Sequence, residues 1–187
     1  DILVLNTTGG SLDLRPVLDT EVRCSLRFVW VGGTPQPEGI HELCVDRVCV
    51  PSNFIRRIAR DQWGVSQDKL FVCQNGVEES FYRVRCFEWL TRRDPYRLVY
   101  VGHPLKGLNA AKKIFRLLHA ENRRFNLHVY GDNKLWGGVD RIPERESGVF
   151  YYGTIGQIRL AKELRKGGFS INLQSVQEAF GISLAEA

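Results

Sequence analysis

Methionine is missing altogether from these 187 residues, the initiator included. That absence fits a processed chain or a segment of a longer one. No run comes near the roughly 20 apolar residues that a membrane helix needs, and the opening Asp1-Ile-Leu-Val-Leu-Asn6 lacks the basic start of a signal peptide. Cysteine is sparse and odd in number. Cys24, Cys44, Cys49, Cys73 and Cys86 form no disulfide framework and read as reduced thiols of a cytoplasmic protein, with Cys44, Cys49 and Cys73 on apolar, strand-like runs. There is no Asp-x-Asp pair and no His/Cys cluster at metal-ligand spacing. RNA-binding aromatic motifs and zinc-finger spacings are absent too, so a nucleic-acid role has only the basic pI behind it.

What is present is a globular composition, 43% hydrophobic, with a net charge of +5. The length allows one substantial core or one and a half smaller ones. The positive balance favours an anionic partner: a nucleotide, a nucleic acid or a lipid surface. The cations are spread along the chain. Pairs such as Arg56-Arg57, Arg92-Arg93, Lys112-Lys113 and Arg123-Arg124 sit mostly where helices or loops face water.

Short apolar runs bounded by turn residues predict strands over 1–6, 26–31, 44–50 and 69–73. A helix is predicted over 54–63, capped by Ser52 or Asn53 and ended by Gly64. The charged, aromatic stretch 78–96 reads as linker and surface helix. From Arg97 the pattern becomes regular, with strands predicted over 98–101, 127–130, 149–152 and 169–173. Helices fall over 107–120 and 157–166, a loop over 132–148, and a last helix begins at the end of the chain. Strand and helix in alternation argue for a parallel sheet with helices on both faces and right-handed crossovers.

In such a sheet, ligands bind outside the carboxyl ends of the strands. Those ends carry Gly102-His103, Gly131-Asp132, Gly153-Thr154 and Ser175. A single glycine there is ordinary turn chemistry; the recurrence points to a ligand. The final stretch Leu173-Gln-Ser-Val-Gln-Glu-Ala-Phe-Gly-Ile-Ser-Leu-Ala-Glu186 runs from an apolar strand through a glycine turn into a helix, with Glu178 and Glu186 on either side. Backbone N–H groups at Phe180, Gly181 and Ile182 would suit an anion at that helix start. An ordinary strand-to-helix turn with two solvated glutamates has the same spacing.

The Glu-x7-Glu pattern around Phe-Gly-Ile resembles the signature of retaining nucleotide-sugar glycosyltransferases of the GT-B fold. Bacterial mannosyl- and glucosyltransferases, glycogen synthase and sucrose synthase belong to that broad group. Val50-Pro-Ser-Asn-Phe-Ile55, Gln74-Asn-Gly-Val77, Val101-Gly-His-Pro-Leu-Lys-Gly-Leu108, His128-Val-Tyr-Gly-Asp132 and Phe150-Tyr-Tyr-Gly-Thr-Ile155 agree in order. The resemblance implies an α/β protein with two Rossmann-like domains: an incomplete acceptor-side domain over 1–73 and a donor-binding domain over 74–187. It implies transfer of a hexose-type sugar, with retention, from a nucleoside-diphosphate-sugar, UDP- or GDP-linked, to a glycan, lipid-linked or small-molecule acceptor. No cofactor, metal or nucleic acid is implied, and peripheral contact with a membrane's inner face is compatible with it.

Residue roles follow from the same resemblance. Lys106 would neutralise the leaving diphosphate and, with Glu178 on the sugar hydroxyls, would form the catalytic pair. Glu186 would hold the ribose, the backbone at Phe180, Gly181 and Ile182 the diphosphate, and Thr154 and Ile155 would lie near the base. Gly102, His103, Gly131 and Gly153 complete the donor-binding set. His103 departs from the pattern, since many relatives carry arginine there, and Gln174 stands where relatives often have proline. These departures keep open a non-catalytic nucleotide- or glycan-binding relative. No general base is assigned. His41, His119 and His128 read as surface or packed residues.

Overall fold

The computed structural model describes residues 1–7, 13–18, 22–42, 44–83, 93–139, 145–174 and 177–187, with the side chain of residue 136 left aside. Ser175, Cys86 and Arg92 lie outside the described residues, as do residues 84–92 of the stretch read as linker and surface helix. Two compact units are formed, residues 1–76 with 177–181 and residues 77–176 with 182–187.

The first unit contains β1 (Ile2–Thr7), α1 (Arg15–Leu18), β2 (Leu26–Val31), β3 (Arg47–Val50), α2 (Asn53–Asp61) and β4 (Leu70–Val72). Its sheet runs β1-β2-β3-β4, every pair parallel. Strand β3 starts three residues later than the apolar run, because the Asp46 carboxylate accepts the Arg27 N–H at 2.7 Å where a ladder carbonyl would stand. The Ser52 side chain caps α2 by accepting the Ile55 N–H at 3.2 Å. Ile55, Ile58 and Ala59 are thereby turned onto Leu5, Val29, Val31, Val48 and Val50. Each fully buried aliphatic of this kind contributes about 1.5–3 kcal/mol.

The second unit contains β5 (Asp94–Val101), α3 (Leu108–Glu121), β6 (Asn126–Tyr130), β7 (Val149–Tyr151), α4 (Gln157–Leu164), β8 (Gly167–Ser170) and α5 (Ile182–Glu186). Its sheet is parallel in the order β7-β6-β5-β8. Alternation along the strands divides the core. Leu98, Tyr100, Leu127 and Val129 meet Leu108, Ala111 and Phe115 of α3, while Val99, Val101 and Tyr130 meet Leu160 and Leu164 of α4. Helices thus cover both faces, as the alternation predicts.

Two strand starts in this unit differ from the sequence reading, and β8 ends at Ser170 instead of residue 173. Strand β5 begins at Asp94, inside the stretch read as linker, and β8 begins at Gly167 instead of residue 169. One contact explains both: Asp94 pairs with Gly167, and a Cβ on Gly168 would come within 2.6 Å of Pro95 Cα. Absent side chains let the strands touch there, so these glycines belong to a strand and not a turn. The expected 132–148 loop also contains a short 3-10 turn over Asn133–Trp136. Among the described residues no helix is long and apolar enough to cross a membrane.

Candidate functional site

The chain leaves β5 for β6 and β7 on one side, then α4 carries it back to β8 on the other side of β5. A parallel sheet opens a crevice at such a reversal, outside the carboxyl ends of the two flanking strands. Here those ends are Gly102 to Gly107 after β5 and residues 171–174 after β8.

The crevice wall is backbone against backbone. Gly107 has φ 122°, and a Cβ on it would sit 1.6 Å from the Leu173 carbonyl oxygen, so no other residue fits without moving one segment. A Cβ on Gly131 would approach the Gly102 oxygen to 2.5 Å. The Gly102 N–H donates to the Tyr130 carbonyl at 3.0 Å and the Gly131 N–H to the Gly153 carbonyl at 2.8 Å. The three strand-end glycines named from sequence therefore share one edge.

Asp132 fastens the β6 and β7 ends together. Its carboxylate accepts the Thr154 N–H at 3.0 Å, the Thr154 hydroxyl at 2.9 Å and the Lys134 N–H at 2.9 Å. Burial pulls its pKa up, but the Thr154 and Lys134 hydrogen bonds outweigh that and hold the carboxyl below its ordinary range.

His103 is 5% exposed and caps a single 3-10 turn, Pro104–Lys106. Its Nδ1 accepts the Leu105 N–H at 3.2 Å, which assigns the ring proton to Nε2. The Tyr100 hydroxyl donates to the His103 carbonyl at 2.8 Å. Burial, then the neighbouring Lys106 ammonium, push its pKa down, with Asp132 opposing, so the imidazole is neutral at pH 7. The turn offers one full positive charge, on half-buried Lys106, together with a neutral N–H donor.

The remaining expected residues have surroundings of their own. Ile155 packs into the core beneath α4. Glu178, Phe180 and Gly181 belong to the first unit, where Ala179 packs on the core and Gly181 turns the chain at φ 72°. Exposed Ile182 opens α5. Glu186 closes it in a cleft of about 290 Å³ whose lining includes Tyr82, Arg93, Leu164 and Arg165; burial raises its pKa. Arg93 precedes β5 and Arg165 precedes β8, so that cleft is at the amino ends of the strands. The structure brings together Gly102, His103, Lys106, Gly131, Gly153 and Thr154, and does not bring Glu186 to them. Asp132, named from sequence only as part of a strand end, joins the set as its fastener, and Gly107 joins it unannounced: the Lys-Gly pair signals a helix start, but nothing local reveals contact with Leu173. Among the described residues no three His, Cys, Asp or Glu side chains could hold a metal ion.

No protein-family model and no curated protein matches the sequence. Solved structures do match its fold. TarM superposes with a TM-score of 0.70 at 13% identity over 99% of this chain. The fold is that of the GT-B glycosyltransferases. An S. aureus TarM mutant in complex with Fondaparinux, alpha-GlcNAc-glycerol and UDP gives a TM-score of 0.66 at 14% identity over 91% of the chain. The pneumococcal O-GlcNAc transferase GtfA, in complex with UDP and GlcNAc, gives 0.62 at 16% identity over 87%. This GT-B chain spans 38%, 36% and 35% of those three proteins' lengths.

Proposed function

We propose that the second unit binds a nucleoside-diphosphate-sugar, UDP- or GDP-linked, and that the protein transfers its hexose-type sugar with retention to a glycan, lipid-linked or small-molecule hydroxyl. The observation that carries this is the crevice at the carboxyl end of β5, where Gly107 lies against the Leu173 backbone, Gly131 against that of Gly102, and Lys106 is the cation of the turn. A diphosphate needs close main-chain approach and a compensating charge, and both stand there. Two of the three structural neighbours hold UDP, which favours the uridine donor.

In the proposed reaction the bond from the anomeric carbon to the diphosphate oxygen breaks and a bond to the acceptor oxygen forms. The acceptor's proton passes to the leaving phosphate. Lys106 stabilises the developing diphosphate charge, and the His103 Nε2–H donates a hydrogen bond where relatives place an arginine. Thr154, oriented by Asp132, would face the base, with Ile155 behind it in the core. The proposed roles of Glu178 on the sugar, of Glu186 on the ribose and of the Phe180-Gly181-Ile182 backbone on the diphosphate rest on the spacing of the motif.

Thermal melts with UDP, GDP, ADP and TDP provide the test. One nucleotide should stabilise selectively, by about 2.7 kcal/mol at a hundredfold excess over Kd. Glu178→Gln should leave that shift unchanged while reducing transfer, because only the complete donor carries the sugar. In the complete enzyme Lys106→Ala should lower turnover about a hundredfold or more. No shift with any nucleotide, or undiminished turnover in a folded Lys106 variant, rejects the reading. The neutral His103 favours a second reading, a non-catalytic donor-binding relative; radiolabel transfer from nucleotide-sugars separates the two.

A further inference from the structure

Helix α2 turns one stripe inward and one outward. Ile55, Ile58 and Ala59 are buried, whereas positions 53, 56, 57 and 60 follow the i, i+3, i+4, i+7 spacing of the other face. That outer stripe reads Asn53, Arg56, Arg57, Arg60. Arg60 pairs with its neighbour Asp61 at 2.6 Å. Arg56 and Arg57 have no ion-pair partner among the described residues, and Arg56 repels Arg60 one turn away. Some arginines elsewhere are matched by carboxylates, as Arg97 is by Glu163, Arg116 by Glu146 and Arg15 by Glu38; what sets the α2 arginines apart is that they share one helix face and one groove. Three arginines on one face share the single carboxylate of Asp61, which leaves the stripe with an excess of positive charge that an anion laid along it would offset.

The stripe walls a groove of about 330 Å³ lined by Asn53, Arg56, Arg57, Arg60, Gln67 and Leu70, a volume suited to a small ligand. Its chemistry is mixed in a specific way. Guanidinium groups stay charged and grip phosphate or sulfate oxygens in pairs. The Asn53 and Gln67 amides both donate and accept, as sugar hydroxyls require, and Leu70 offers an apolar surface to ring C–H groups. No aromatic lines the groove to stack a nucleic-acid base. Nor does the outer stripe carry an apolar side chain to enter a bilayer.

We infer that this groove binds an anionic saccharide, a sugar unit bearing phosphate or sulfate. It is built wholly from first-unit residues. Assigning that saccharide to the acceptor rests on the glycosyltransferase reading; the groove's own chemistry does not.

Calorimetric titration of the whole chain with phosphorylated dextran oligosaccharides tests this, with neutral dextran, phosphatidylglycerol vesicles and a single-stranded oligonucleotide in parallel. The phosphorylated sugar should bind, weaken with added salt, and outcompete the other three. Arg56→Gln with Arg57→Gln should weaken it about tenfold or more, with the nucleotide response unchanged; both side chains are exposed, so the variant keeps the fold. Equal binding of neutral dextran, stronger binding of vesicles or oligonucleotide, or wild-type affinity in the double variant overturns the inference. A chain that binds phosphorylated dextran through these arginines yet responds to no nucleoside diphosphate keeps the groove and loses the transferase reading.

Discussion

Two buried histidines are held neutral by one cause, and only His103 belongs to the candidate site. His128, on β6, stacks against Phe150 and Tyr152 with ring centroids 5.1 and 5.6 Å away, and its Nδ1 is 2.9 Å from the Tyr152 hydroxyl. Burial, then Arg97 and more weakly Lys166, push its pKa down to about 4 against the pull of Glu163 and Asp94. An unfolded histidine titrates near 6.5, so protonation favours the unfolded chain. The stability of the neutral ring is complete above about pH 6.5 and is lost as pH falls toward 4, about 2 kcal/mol of it between pH 7 and 5. His103, also lowered, acts in the same direction. Urea unfolding of His128→Phe, which keeps the ring stack, should show a flatter pH dependence by about that amount; a wild-type slope rejects the assignment. The sequence supports reading His128 as a packed residue. It exposes the His103 substitution without its meaning, because capping the turn depends on where the Leu105 N–H points.

At the scale of elements, the tightest constraint is the crossing of Gly107 and Leu173. An alanine at position 107 would need a φ of 122° and would meet the Leu173 carbonyl. The backbone conformation alone costs about 1–3 kcal/mol, and the clash adds to it by displacing residues 171–174. Gly107→Ala should therefore lower the melting temperature of the second unit and abolish its nucleotide response. A variant that melts and binds like wild type would mean that the 171–174 segment yields freely. The strands were legible because their apolar runs are dense, and α2 and α3 because buried residues recur at helical spacing. One strand start was missed: Gly167 and Gly168 lie outside the 169–173 run but sit in the ladder against Asp94 and Pro95. Contacts such as Gly107 with Leu173, or Asp132 with Thr154, span many residues and leave no local trace.

For the molecule as a whole, the first sheet raises a question of exposure. Parallel sheets are ordinarily buried on both faces; among the described residues this one buries the face that meets α2 fully and the other only in part, Cys49 being buried and Phe28 half-buried. On the other, register aligns Ile2 with Leu26, Val4 with Phe28 and Cys49 with Phe71, and Ile2, Val4, Leu26 and Phe71 are 64%, 57%, 41% and 56% exposed. Apolar side chains exposed together on one face drive association, and among the described residues β1 and β4 are the edge strands of this sheet. The net charge of +5 opposes it. Repulsion between copies is screened as the Debye length falls from about 10 Å at 0.1 M salt to about 3 Å at 1 M, whereas the apolar attraction is not. The 187-residue chain should therefore self-associate increasingly as salt is raised, the reverse of what charge-driven contact would give. Val4→Lys with Phe71→Lys places two cations on the face and should keep the chain monomeric over the same range, with little loss of stability because both side chains are already in water. Sedimentation velocity across a salt series decides it: a monomer at every salt concentration, or a double variant that associates as the parent does, removes this face as the contact.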